Sequence, residues 1–280
     1  MQETEIDRRN RQFWDEPCGS VFAKNLGIED TSEISLREFD RNYFKFYPYL
    51  VKHLRPEEMK GKRVLEVGLG YGTVGQFLAT QGADFHGLDI AEGPVRMMNA
   101  RLGALGLEET AVQGNMLDCP FPAESFDFLV SIGCFHHTGD MQRCIDETHR
   151  ILRPGGTAIV MVYNRFSFRQ WKKWPLETFR QFRVDGQYSP AHGEVAPGEA
   201  IVKEHSGYDV NHAGEAAPET VFTSVSQLAQ MFSQFSDFRC WKENCDDVTF
   251  CGKLIWPRKW ILLQFLAPML GLDLYARAVK

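Results

Sequence analysis

The run Val64-Leu65-Glu66-Val67-Gly68-Leu69-Gly70-Tyr71-Gly72 constrains this chain more than any other stretch. Its first half reads as a buried strand, Arg63–Val67, and a helix is predicted to follow over Gly72–Gln81. Between them lie glycines at 68, 70 and 72. Glycine lacks a Cβ, so the backbone there can turn tightly and come close to a ligand. The pattern continues downstream. Strands are predicted at Asp84–Leu88, Thr110–Gln113, Phe126–Ile132 and Thr157–Tyr163, with helices at Pro94–Leu105 and Met141–Leu152. The last helix runs into Arg153-Pro154-Gly155-Gly156, a stop signal. Short strands alternating with helices predict βαβ units and a parallel sheet.

The acids around the loop say what it holds. A pyrophosphate at the helix N-terminus would be repelled by Glu66, two residues before the first glycine, whereas a cationic group such as an amino-acid ammonium would be attracted. The glycine row is GxGxGxxG, ending at Gly75, and not the dinucleotide GxGxxG. Asp89 closes the second strand, where a carboxylate can accept both hydroxyls of an adenosine ribose. Asn115 follows the third strand and can offer its amide to an adenine edge. All three positions fall at the carboxyl ends of strands, where open α/β sheets bind ligands.

Charge and composition narrow the class. The chain has 280 residues, with 31 Lys+Arg against 37 Asp+Glu, a formal net charge of −6. No nucleic-acid partner is expected from this balance. The seven cysteines are irregularly spaced without CxxC, so a reducing, cytoplasmic setting is expected and neither a disulfide framework nor a structural zinc site. The first residues, MQETEIDRRNRQFW, have no apolar core and do not read as a secretory signal. Trp260–Leu272 is the longest apolar stretch and is too short for a membrane span, which needs about 20 residues.

Five segments together resemble the class I S-adenosylmethionine-dependent methyltransferases, in particular the broad type 11 family. They are Val64–Gly72 (VLEVGLGYG), Gly87–Ile90 (GLDI), Asn115–Phe128 (NMLDCPFPAESFDF), Ser131–Thr138 (SIGCFHHT) and Glu147–Gly156 (ETHRILRPGG), covering residues 60–163. The resemblance implies S-adenosyl-L-methionine as cofactor and S-adenosyl-L-homocysteine as product. It implies that Glu66, Gly68, Gly70 and Gly72 line the methionine end. Asp89 would hold the ribose, with Ile90 against the adenine, and Asn115 and Met116 would meet the adenine edge and face. Ile132 and, from the leading helix, Tyr43 complete the expected cofactor contacts. The family more often has Asp at position 115, so a contact of altered strength is expected there.

On the acceptor side, His136 and His137 follow the fourth strand, and Tyr163 and Asn164 end the fifth. A histidine there could be a general base near neutral pH, His137 before His136, with Tyr163 in substrate contact. An architectural role competes for both histidines. His205, Asp209 and His212 match no metal-ligand spacing, and no metal is expected. Arg165, Arg169, Lys172 and Lys173 interleave with Phe166, Phe168, Trp171 and Trp174. That patch suits a packed helix, a lid or a membrane-surface contact.

These observations predict an α/β, Rossmann-like, doubly wound seven-stranded mixed sheet with helices on both faces. The expected divisions are an N-terminal helical cap (1–60), the cofactor-binding core (61–163), an insertion after the fifth strand (164–222) and a C-terminal completion of the sheet (223–280). Within them, helices are expected over 35–54, Ser224–Phe235 and 256–270, and strands at Phe238–Trp241 and Asp273–Val279. The usual adjacency of the last two strands is broken by residues 243–270. The expected function is methyl transfer to a small-molecule acceptor by in-line displacement, in a monomer or homodimer. A protein, peptide or lipid acceptor is the alternative, and a nicotinamide-dependent oxidoreductase a more distant one. An Asn/Asp-Pro-Pro-aromatic motif, the mark of base-amino methylation, is replaced by Ser131-Ile132-Gly133-Cys134-Phe135.

Overall fold

A computed structural model describes residues 3–17, 19–185, 209–250, 253–258 and 266–280. Five helices precede the sheet: α1 (Glu5–Phe13), α2 (Ser20–Asn25), α3 (Glu33–Phe46), α4 (Leu50–Leu54) and α5 (Pro56–Met59). The alternating unit follows as β1 (Arg63–Val67), α6 (Thr73–Thr80), β2 (Asp84–Asp89), α7 (Glu92–Ala104), β3 (Ala111–Gln113), β4 (Phe126–Ile132), α8 (Met141–Ile151) and β5 (Leu152–Tyr163). Then come α9 (Phe168–Lys173), α10 (Pro175–Val184), a helix at Val225–Met231, β6 (Asp237–Glu243), the hairpin β7 (Val248–Phe250) and β8 (Lys253–Trp256), a short helix Leu266–Leu270, and β9 (Asp273–Val279).

Seven strands form one mixed sheet in the order β3-β2-β1-β4-β5-β9-β6. The first five are parallel; β9 runs antiparallel to both β5 and β6. The predicted fold class is therefore the observed one. The strands read as near-continuous apolar runs because both faces are covered. Leu65 and Val67 face α8 and the Val225–Met231 helix, in a core with Ile145, Leu129, Val160 and Leu228. Val64 points the other way, into a core with Leu50, Leu78, Met98 and Leu102 from α4, α6 and α7. Glu66 shares the side of Val64 by the period of two along a strand.

Several boundaries differ from the sequence prediction, each for a local reason. The helix expected over 35–54 is two, α3 and α4, split around Pro48, which cannot donate the helical hydrogen bond. α7 starts at Glu92, two residues before Pro94, where Asp15 Oδ1 accepts the Gly93 N–H at 2.8 Å. β5 starts at Leu152, which pairs with Phe126 of β4, and Gly155 N–H and Gly156 C=O continue it by pairing with the carbonyl and amide of Lys280 at 2.9 Å each. The helix expected from Trp256 is not seen in its first residues: Lys253–Trp256 is a strand, with Val248 opposite Trp256. The residue before a proline favours extended backbone, which Trp256-Pro257 already signals. Helix is present at Arg258 and at Leu266–Leu270, and residues 259–265 lie outside the described ones.

The broken adjacency of the last two strands leaves the sheet intact. β6 and β9 pair in seven register positions from Asp237↔Val279 to Glu243↔Asp273, and the hairpin β7–β8 lies in the excursion between them. The segment after β5 is not irregular throughout, since α9 and α10 occupy its start. It returns along the carboxyl edge of the sheet, where Val221 N–H donates to His136 C=O at 2.8 Å and Thr223 N–H to Tyr163 C=O at 3.0 Å. Cys119, Cys134, Cys144, Cys240 and Cys245 are free thiols; Cys18 and Cys251 lie outside the described residues. No helix among the described residues is long and apolar enough to cross a membrane.

Candidate active site

A cavity of about 370 Å³ opens at the carboxyl ends of β1, β2 and β4. Ligand pockets usually fall in this size range. Its floor is the glycine loop. Gly68, Gly70 and Gly72 all have positive φ, at 83°, 51° and 77°. At Gly68 a Cβ would also come within 2.4 Å of the Cys134 Cβ, so this position excludes any side chain. Gly68 and Gly70 line the cavity. Gly72 is not among its lining residues; it sits at the start of α6 against the Arg101 side chain.

Two acids stand at the loop. Glu66 is 2 % exposed, lines the cavity, and its Oε2 has no hydrogen-bond partner. Burial, and next the nearby Asp89 charge, push its carboxyl well above the usual range. A buried carboxyl oxygen without a partner is costly. Its position suits a cationic ligand that would relieve that cost. Asp89 is also buried, and accepts Leu69 N–H at 2.8 Å and Ala91 N–H at 3.0 Å. Burial pushes it up to about 6, against these amides, which lower it. These backbone bonds hold the carboxylate at the cavity wall, which Asp89 lines.

The roof comes from the cap, whose Tyr43 was expected here and lines the cavity, while the contribution of α1 was not singled out. Asp7 and Asn10 of α1 are both buried and line the cavity, as does Trp14. Asp7 Oδ1 accepts the Asn115 side-chain amide at 2.9 Å, and Asn115 Oδ1 accepts Leu117 N–H at 2.9 Å. Asn115 is thus engaged within the protein, and Asp7 brings the acid to this end of the cavity. Asn10 donates to the His137 carbonyl at 2.6 Å, and the Trp14 ring lies 4.8 Å from the His137 ring. The α1 part of this roof leaves its sequence trace in the Phe13-Trp14 pair and the Thr4-to-Asp7 capping box. A second tie holds α3. The buried Arg101 guanidinium of α7 pairs with Asp40 at 2.8 and 3.1 Å and with Gln76 at 2.8 Å, while Thr73 donates to Asp40 at 2.7 Å. This brings Phe39 and Tyr43 of α3 to the cavity, with Tyr71 stacked on Phe39 at 4.2 Å.

Ile90, Met116 and Ile132 line the cavity beside Asp89 and Asn115. At its far end stand His137, Tyr163 and Asp209. His137 Nδ1 donates to the Glu219 carbonyl at 2.6 Å, which turns Nε2 toward Asp209 Oδ2 at 3.4 Å. The Tyr163 hydroxyl donates to the same carboxylate at 2.9 Å. His136 is fully buried and does not line the cavity; its ring packs 4.2 Å from His137 and 4.1 Å from Tyr163. Burial holds His136 well below the usual histidine range. Asn164, named with Tyr163, is buried and bonded to the Gly271 carbonyl at 2.7 Å, so it is a structural residue. His205 is outside the described residues, and Asp209 meets a different pair of histidines from the one its spacing suggested.

Residues 65–160 match the family model described as "Methyltransferase domain". The chain carries a class I S-adenosylmethionine-dependent methyltransferase domain. The family and the sheet together imply S-adenosyl-L-methionine as its cofactor, and the unpartnered Glu66 Oε2 and the buried Asp89 fit that group. Among relatives, the chain is 33% identical over 158 residues to a fatty-acid O-methyltransferase of Mycolicibacterium smegmatis, covering 55% of this chain and 57% of that protein. It is 33% identical over 138 residues to a phthiotriol/phenolphthiotriol dimycocerosates methyltransferase of Mycobacterium ulcerans, covering 49% of each. The chain spans about half the length of the curated relatives it matches. A solved S-adenosylmethionine-dependent methyltransferase of Methanosarcina mazei shares the fold of the methyltransferase domain, at 18% identity and a TM-score of 0.51 over 79% of this chain and 93% of that one.

Proposed function

We propose that this protein transfers a methyl group from S-adenosyl-L-methionine to a small, neutral, hydroxyl-bearing acceptor. The observation that carries the proposal is the lining of one continuous cavity. It runs from Glu66 and Asp89 to His137, Asp209 and Tyr163, and its described lining includes Asp7, Glu16, Glu66, Asp89 and Asp209 but no Lys or Arg. Such a cavity suits a positively charged cofactor. Its side chains give an anionic acceptor, such as a carboxylate, no counter-charge.

The bound cofactor supplies a methyl group on a sulfonium, whose carbon–sulfur bond breaks toward sulfur as the acceptor's bond to carbon forms. The protein's part is positioning and exclusion of water. Glu66 would face the ammonium end and Asp89 the ribose hydroxyls. Tyr43, Phe39 and Trp14 supply aromatic walls at the roof. The His137–Asp209 pair, steadied by Glu219 C=O and Tyr163, would receive the acceptor's hydroxyl proton.

A lipid-like acceptor is the second reading. The two relatives above carry lipid substrates in their names, and Leu176, Phe179, Leu254, Ile255 and Trp256 are exposed apolar residues. Calorimetry with S-adenosylmethionine, S-adenosylhomocysteine and NAD tests the cofactor first. Binding of the first two and not of NAD is expected; binding of NAD alone would refute the proposal. A panel pairing each alcohol or phenol with its carboxylate counterpart, read by mass spectrometry for an added methyl group, tests the acceptor. Faster methylation of the carboxylates would overturn the neutral-hydroxyl assignment.

A further inference from the structure

We infer that His136, His137 and Asp209 form a binding site for one divalent transition-metal ion of the zinc class, at the acceptor end of the cavity. The ligand atoms of the three residues all lie within 4.8 Å of one another. His137 Nε2 and Asp209 Oδ2 are 3.4 Å apart. Two ligands sharing an ion at bond lengths of about 2.0–2.2 Å stand roughly 3–3.5 Å apart, so this pair is already spaced for one. The third ligand needs a contraction of about an ångström, within reach of a ring rotation.

The surroundings of the three residues point the same way. A metal-bound histidine usually donates its other ring N–H to a carbonyl or carboxylate, which fixes its tautomer. His137 does this: Nδ1 donates to Glu219 C=O at 2.6 Å, leaving the Nε2 lone pair directed at Asp209. Ligating carboxylates are in turn hydrogen-bonded. Asp209 accepts the Tyr163 hydroxyl at 2.9 and 3.0 Å. His136 gives the independent sign. It is fully buried, and neither Nδ1 nor Nε2 has a hydrogen-bond partner. Buried ring nitrogens are normally satisfied, and an ion between the three residues satisfies one of them. Two imidazoles and one carboxylate are a donor set for first-row transition metals, and three protein ligands leave a position open for a small molecule.

The open side faces the cavity, because His137 and Asp209 line it and His136 stands behind them. An acceptor oxygen there would be bound and polarised by the ion. The inference deepens the proposed reaction: the ion would acidify the bound acceptor hydroxyl, whose proton would pass to solvent before methyl transfer, and His137 and Asp209 would hold the ion in place of receiving that proton. It rests on that reaction for the purpose of the ion alone; ion binding itself needs no methyl transfer.

The test is a titration of the full, chelator-treated chain with Co2+, followed by its visible d–d absorption. Displacement by Zn2+ and calorimetric S-adenosylmethionine binding are measured on the same sample. One equivalent of Co2+ should bind, with bands of low-symmetry nitrogen and oxygen coordination, and Zn2+ should displace it. Asp209→Asn keeps the shape and the Tyr163 contact, and should weaken binding at least 100-fold. His137→Gln should do the same, which keeps the test open should Asp209→Asn fail to fold. No stoichiometric binding, or binding unchanged in Asp209→Asn, would overturn the site. Loss of S-adenosylmethionine binding with ion binding intact would sink the proposed reaction and leave the metal site standing.

Discussion

The side-chain amide of Asn115 donates to the carboxylate of Asp7 across 2.9 Å, joining the edge of the sheet to the first helix of the cap. Asp7 is 2 % exposed, and its other oxygen accepts both Thr4 N–H and Thr4 Oγ1–H. The resemblance implies that relatives more often carry Asp at position 115. Here that acid would meet Asp7, and two buried carboxylates cannot both ionise at hydrogen-bond distance. The departure from the family pattern and the buried acid of the cap are thus one arrangement.

Asn115→Asp should therefore weaken cap docking. We expect a stability loss of about 1–3 kcal/mol, the cost of an unmatched buried polar pair. Adding Asp7→Asn should restore at least half of it. Thermal unfolding of the two variants decides this, and an Asn115→Asp protein as stable as the parent would refute the role of the pair.

Asp89→Ala removes the ribose acceptor and also strands the amides of Leu69 and Ala91. A loss of about 1–3 kcal/mol is expected from those amides, in a chain that still folds. S-adenosylmethionine affinity should fall at least 100-fold by calorimetry. An unchanged affinity would take Asp89 out of the cofactor site.

The two buried acids predict a proton exchange on binding. Burial raises Asp89 to about 6 and moves Glu66 in the same direction. A carboxyl raised in the folded state contributes most to stability below its ordinary value, and loses that contribution as pH rises through about 6. A cationic cofactor pulls the other way and favours the ionised forms. Binding near pH 5.5 should therefore release protons, seen as a calorimetric enthalpy that changes with the ionisation enthalpy of the buffer. A buffer-independent enthalpy would contradict it.

Arg101 is fully buried against Asp40 and Gln76. Arg101→Met leaves the Asp40 carboxylate without its cation, at an expected cost of about 3–5 kcal/mol. Arg101→Lys should rescue little, because a single ammonium cannot reproduce the forked contact. Denaturant midpoints of the two variants provide the measurement; near-parental stability in Arg101→Met would show that the tie to α3 is incidental.

His137→Ala should lower kcat at least 100-fold with little change in S-adenosylmethionine affinity. Part of the affinity is expected to persist because the Glu66–Asp89 end is untouched. Normal turnover with the true acceptor would reduce His137 to an architectural ring against Trp14 and His136.

The glycine loop, the two acids and the five parallel strands were legible along the chain, because each rests on neighbours close in sequence. Backbone freedom at Gly68 and Gly70, the apolar run of β4 and the strand-end position of Asp89 are local properties. The seventh strand was legible as an element, while its pairing with β6 across the excursion from 244 to 272 was not. Tertiary structure alone brings α1 over the cavity, sets Asp7 against Asn115, carries Arg101 to Asp40 and returns Asp209 to His136 and His137. These contacts join residues far apart in the chain, and nothing in the local pattern of either partner specifies the other. Such contacts form only once the sheet has closed and its loops share one edge, where burial makes each polar partner necessary to the next.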